Sequence, residues 1–173
     1  MTLQEDHPSR SPRERLVHNA VDNYEYRFAS RSEANEIALL FERFFAESGY
    51  PSRGIKYSVG KAEAWLERVI TQGSCPHLVA RKDDAIVGVI SYSLDETFCI
   101  DPVAVLHMFY VAPEHRRSAV SMVLVALCVD AARNDGAVAF HAPLASEVKG
   151  ASAVNLFANA GFENIGAIMG RPL

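Results

Sequence analysis

One stretch limits what this chain can fold into more than any other: an apolar strand, a basic turn and an amphipathic helix in unbroken succession. It reads Phe109-Tyr110-Val111-Ala112-Pro113-Glu114-His115-Arg116-Arg117-Ser118-Ala119-Val120-Ser121. Pro113 ends the strand because it donates no ladder hydrogen bond. Past the turn, Val120, Val123, Leu124, Leu127, Cys128 and Ala131 recur at three- and four-residue steps, the single apolar face of a helix. The first turn of such a helix has backbone N–H groups without intrahelical partners, here beside the guanidinium groups of Arg116 and Arg117. Those N–H groups and the helix dipole suit a phosphate or pyrophosphate. An ordinary strand-to-helix crossover with two solvated arginines stays open as the alternative.

Around that stretch the remaining elements can be read from periodicity and turn chemistry. Residues 1–23 are polar, carry Pro8 and Pro12, and read as a mobile N-terminal arm or a poorly specified first helix. Tyr24 to Phe28 alternates as a strand. Ser30-x-x-Glu33 is a capping box that opens a helix with an apolar stripe of Ile37, Phe41, Phe44 and Phe45. Ser48 to Ser58 is a loop with Gly49, Pro51 and Gly54. A second helix covers Lys61 to Thr71 and stops at Gly73. Strands follow at His77 to Arg81, Ile86 to Leu94 and Val103 to Val111; the Lys82-Asp83-Asp84 turn and a second hairpin-like join make them antiparallel. The long helix ends at Gly136 and Val138 to Ala142 is a short strand. Leu144 to Lys149 then links to a helix ending at Gly161, and Ile165 to Arg171 forms a last strand.

Composition narrows the class. A chain of 173 residues that is 49% apolar can bury one core, a single domain over residues 24–173. A net charge of −4 does not indicate a nucleic-acid-binding surface. Cys75, Cys99 and Cys128 form neither a metal-like pairing nor a disulfide framework, and no metal is expected. No run of 18 or more apolar residues spans a membrane, and residues 1–23 lack the apolar core of a secretory leader. A cytoplasmic location is the expectation. Once the core is assigned no apolar stripe is left over, so the oligomeric state is not readable and a homodimer stays open.

Val111-x-Pro113-x-x-Arg116 followed by a helix resembles the acetyl-CoA-binding signature of the GCN5-related N-acetyltransferases (GNATs). That family usually shows Arg or Gln, two residues, Gly, one residue, then Gly or Ala. Here both glycine positions are substituted, by Ala119 and Ser121. A second segment, Ala153 to Phe162, is similar to the family's closing helix, which ends in Gly-Phe. At that helix the family's usual Tyr, often proposed to protonate the departing thiolate, is Phe157, and its usual Asn falls on Gly150. The resemblance covers about Tyr24 to Leu173, and the Pro-Glu-His-Arg-Arg turn is most similar to acetyltransferases of phage genomes. It implies an α/β (α+β) fold with a mixed, mostly antiparallel central sheet and helices on both faces.

The resemblance implies acetyl-CoA as acyl donor and an acetyl-CoA-dependent N-acetyltransferase. The acceptor would be a primary amine, on a small molecule or a peptide, attacking the thioester directly in a ternary complex. Phe109, Tyr110 and Val111 would lend backbone groups to the pantetheine arm and the oxyanion. Arg116, Arg117, Ser118, Ala119, Val120 and Ser121 would hold the pyrophosphate and ribose phosphate, and Phe157 would lie against the cofactor. His107 is the first candidate for the base, because a histidine titrates near neutral pH. Strand alternation places it on one face with Val105, Phe109 and Val111, and Tyr110 opposite. His141 is a second candidate, and Glu96 and Asp101 are candidates for amine recognition or proton relay. The Tyr50 to Tyr57 loop would cover the acceptor side. Phe157, Gly150 and the missing glycines favour one alternative, a non-catalytic CoA-binding or protein-interaction domain that keeps the fold.

Overall fold

The computed structural model of the chain describes residues 23–97, 100–144 and 150–166. Residues 1–22 of the N-terminal arm, Cys99, most of the Leu144–Lys149 link and residues 167–171 of the expected last strand lie outside them. Ile165 and Gly166, within them, are not in a strand.

Among the described residues, five strands form one sheet: β1 Glu25–Phe28, β2 His77–Lys82, β3 Ala85–Asp95, β4 Val103–Val111 and β5 Ala139–His141. They lie in sequence order, antiparallel throughout except that β5 runs parallel to β4. The turn between β2 and β3 closes through Asp83 and Asp84, both at positive φ, as a tight hairpin requires. Helices α1 (Ala34–Glu47) and α2 (Val59–Gln72) cover one face; α3 (Val120–Asn134) and α4 (Gly150–Asn159) cover the other. A mixed, mostly antiparallel sheet between helical layers is the expected fold.

The helices start and stop where side chains satisfy their ends. Glu33 accepts the Ser30 N–H at 2.8 Å, and a short 3-10 turn over Arg31–Glu33 then passes into α1. The Ser58 hydroxyl accepts from the Lys61 N–H at the head of α2, and Gly73 ends that helix at φ 65°. On α3, Val120, Leu124, Val125, Cys128, Ala131 and Ala132 are buried, close to the expected apolar face. They pack with Leu78, Ile90, Tyr92, Leu106, Val111 and Phe157 into one core. Ile37, Leu40, Phe41 and Leu66 pack with Val79, Val89 and Tyr110 into the other, so the sheet is apolar on both sides.

One expectation fails along β4. Ser91 pairs with Met108 and Tyr92 with Leu106, so His107 is an extra residue, a β-bulge. The inserted residue reverses the alternation. Leu106, Phe109 and Val111 face the α3/α4 core, whereas Met108 and Tyr110 face the α1/α2 core. His107 therefore does not share a face with Phe109 and Val111. Its Nε2 lies 2.7 Å from the Ser93 hydroxyl, and Ser93 follows Val89 and Ser91 on the α1/α2 side. His107 and Tyr110 are thus on the same face rather than opposite ones.

Candidate active site

The site begins where two strands part. Pairing between β4 and β5 stops at Val105 and His141, while β4 continues to Val111. The Ala112 N–H donates to the Val87 carbonyl at 2.8 Å, toward β3, so alternation turns the backbone groups of Val111 and Phe109 to the open side. Nε of Arg116 donates to the Val111 carbonyl there at 2.7 Å. The other outward groups of this edge suit an extended ligand that carries amides.

A cavity of about 640 Å³ lies along this edge. One end is walled by Arg116, Arg117 and Ser121 and by Ser152, Ala153 and Leu156 of α4. Phe41, Phe44 and Phe45 of α1, with Tyr50 and Tyr57 of the following loop, wall the other. Leu106 to Val111 form the floor between them.

At the first end, the turn after β4 is a 3-10 turn, Pro113–His115, followed by residues that lead into α3. Ser118 braces it: its hydroxyl donates to the His115 carbonyl at 2.7 Å and accepts from the Val120 N–H at 3.4 Å. His115 is held by the Tyr24 hydroxyl, 2.9 Å from Nδ1. Ala119 has φ −70° and ψ −8°, ordinary angles for an L-residue, so the family's glycine is not needed for backbone conformation. The N–H groups of Ser121 and Met122, in the first turn of α3, have no intrahelical acceptor. Arg117 is exposed beside them.

Arg116 has a different surrounding from the one expected. Its Nη1 meets Glu47 at 2.8 Å, its guanidinium lies 5.1 Å from the Tyr110 ring centre, and its Nη2 is buried without a partner among the described residues. Tyr110 donates its hydroxyl to the same Glu47 carboxylate. Burial alone would raise the Glu47 pKa; the bonds from Arg116 and Tyr110 outweigh it and hold the carboxyl below its ordinary range. Burial and the Glu47 bond push Tyr110 up to about 12. The trio fastens the end of α1 to β4 and to the turn. Arg43 of α1 also meets Glu114 of the turn at 2.9 Å, an exposed pair of little energetic weight.

His107 lies on the cavity floor. Burial lowers its pKa, which favours the neutral, proton-accepting form. His77, on β2, is buried and pushed down to about 4 by burial, its Nδ1 2.7 Å from the Cys75 carbonyl. Of the other expected residues, Val120 is buried in the core, and Ser118 and Ala119 lie on the turn. His141 ends β5, and Glu96 and Asp101 lie in the connection before β4; none of the three walls the cavity. Phe157 is buried against Phe109 and Phe162, at ring distances of 5.6 and 5.1 Å, behind the cavity wall.

Sequence reasoning placed the Tyr50 to Tyr57 loop over the acceptor side but missed Glu47, Ser93 and the rings that α1 adds to the cavity. Phe44 and Phe45 carried a usable signal: adjacent helical residues point 100° apart, so both cannot lie at the centre of one inward stripe. Nothing local marks Glu47 or Ser93, whose partners lie far along the chain.

Among the described residues no group of three or more His, Cys, Asp and Glu side chains could hold a metal, and no helix is long and apolar enough to cross a membrane. Residues 35–162 match the family model of the acetyltransferase (GNAT) family. Solved structures of similar fold include a predicted acetyltransferase with acetyl-CoA from Clostridium acetobutylicum, 12% identical over 86% of this chain and 95% of that one, with a TM-score of 0.67. An aminoglycoside 6'-N-acetyltransferase from Acinetobacter haemolyticus is 17% identical over 84% and 95%, with a TM-score of 0.66. A ribosomal-protein-alanine N-acetyltransferase from Brucella melitensis biovar Abortus is 17% identical over 86% and 98%, with a TM-score of 0.64. At these identities the likeness is one of fold. No curated protein sequence matches the chain.

Proposed function

Because the chain belongs to the GNAT acetyltransferase family, we propose that it transfers the acetyl group of acetyl-CoA to a primary amine. The carrying observation is the cavity that joins the Arg117–Ser121 turn, the open β4 edge and His107. The turn suits phosphates, through the first N–H groups of α3 and the Arg117 guanidinium. The edge suits the amides of a pantetheine arm, and the bound donor supplies an activated thioester. The acetyltransferase from Clostridium acetobutylicum, solved with acetyl-CoA, supports the same donor here.

In this reading His107 takes one proton from the incoming ammonium, with Ser93 holding its Nε2 side. The amine nitrogen bonds to the acetyl carbon, the C–S bond breaks, and the second ammonium proton passes to the thiolate. The backbone N–H groups of the open edge face the carbonyl oxygen as it gains charge. Direct transfer agrees with the cysteines among the described residues: burial pushes the thiols of Cys75 and Cys128 up, so neither is poised as a nucleophile. The position of Phe157 favours the second reading, a CoA-binding domain without turnover, since no hydroxyl stands at the family's acid position.

Two measurements separate the readings. Acetyl-CoA at about 100 times its dissociation constant should stabilise the fold by roughly 2.7 kcal/mol, a rise of several degrees in Tm. Thiol release with a panel of primary amines should then be seen and should fall about 100-fold or more in His107→Ala. Stabilisation without thiol release for any amine would leave the binding domain; no stabilisation would remove both readings.

A further inference from the structure

We infer that the acceptor end of the cavity selects a primary amine carried on an aromatic, singly charged body and disfavours polycationic amines. The inference rests on the acetyltransferase reading and adds the chemistry of its acceptor. Four half-buried rings meet there. Phe45 stacks on Tyr50 with centroids 5.4 Å apart and planes 29° apart, and lies 5.4 Å from Tyr57. Phe44 packs edge-on to Tyr50 at 6.5 Å and to Tyr110 at 5.7 Å. The Tyr57 hydroxyl is turned away, donating to the Ala38 carbonyl at 2.8 Å, so its ring presents apolar surface. Met108 of the floor adds a polarizable thioether. An aromatic body buried among these rings gains both burial and ring–ring geometry.

Charge points the same way. The charged side chains among the described wall residues are Arg116 and Arg117, and no carboxylate is among them. Glu47, which does not line the cavity, is already engaged by Arg116 and Tyr110. One ammonium can shed its proton to His107 or lie over a ring face. A second or third would lose its water against aromatic rings with no carboxylate among the lining residues, which binding does not repay.

The test compares initial rates of thiol release at saturating acetyl-CoA for 2-phenylethylamine, spermidine and an aminoglycoside. We expect kcat/KM for 2-phenylethylamine to exceed that for either polycation at least tenfold. Tyr50→Ala should raise KM for 2-phenylethylamine about tenfold while KM for acetyl-CoA stays unchanged; Tyr50→Phe, which keeps the ring, should preserve both. Equal or better use of spermidine would overturn the inference while the acetyltransferase reading stood. If no amine is turned over, calorimetry of 2-phenylethylamine with CoA-loaded protein decides. Binding that Tyr50→Ala weakens supports the aromatic site even though the catalytic reading fails, and no binding overturns it.

Discussion

At His107, one inserted residue turns a strand position into a cavity floor. Without the bulge, alternation would put its imidazole on the α3/α4 side; with it, Nε2 reaches Ser93 at 2.7 Å on the α1/α2 side. Burial disfavours the imidazolium, so the folded pKa lies below the ordinary value of 6.5. The sign for catalysis follows: the neutral base is present down to lower pH than for a free histidine. With an amine that stays protonated across the range, so that its own ionisation is constant, kcat/KM should rise with pH through a midpoint below 6.5 and level off. His107→Gln should remove that limb, and a pH–rate profile of the two proteins checks it. The residue was legible as a candidate because a lone histidine interrupts an apolar strand. Its orientation was not, because a bulge is a mismatch in count between two strands.

Between elements, the contact that positions the proposed phosphate turn is the seat of α3 on β3. Gly88 lies opposite Val111, and a methyl group there would come within 3.0 Å of Leu124 Cδ1, 3.2 Å of Val111 Cγ2 and 3.4 Å of Val120 Cγ1. An added methyl would crowd these three side-chain ends. Overpacking of this kind costs on the order of 1–3 kcal/mol. Gly88→Ala should lower Tm by several degrees. Because Val120 opens α3, the substitution should also shift the turn and raise KM for acetyl-CoA more than KM for the amine. Steady-state kinetics with each substrate varied in turn separates the two effects. The helix and strand were readable from their periods, but their separation depends on side chains from three elements.

Across the whole molecule, Glu33 gathers pieces that the chain supplies separately. Its carboxylate meets Arg27 of β1 and Arg81 of β2, each at 2.7 Å, and accepts the N–H that caps the start of α1. Burial would raise its pKa, but the Arg27 bond and the Ser30 bonds outweigh burial and hold it at about 2. A folded pKa below the unfolded one means that the charged carboxylate stabilises the fold. That contribution is complete above about pH 4.5 and is lost as pH falls toward 2, a difference of roughly 3 kcal/mol for a group this enclosed. Glu33→Gln should lose roughly that much at pH 7 and show a flatter fall in stability between pH 4.5 and 2. Urea unfolding at a series of pH values measures both. Ser30-x-x-Glu33 was readable as a helix start, yet the same carboxylate proves to join two strands, and nothing near it in the chain points to Arg81.

What the amino-acid order by itself determined is local: where periodicity changes from two to about 3.6, where prolines and glycines stop an element, and where the Arg116–Arg117 turn enters α3. Those rules act over a few residues, so a single chain carries them in full. The tertiary structure decided the rest: the bulge at His107, the parting of β4 from β5 beyond Val105, the engagement of Arg116 by Glu47 and Tyr110, and the rings of α1 and the Tyr50–Tyr57 loop beside the cavity. Each of these depends on register or contact between segments distant in the chain, and strand register is set only when both faces of the sheet are packed.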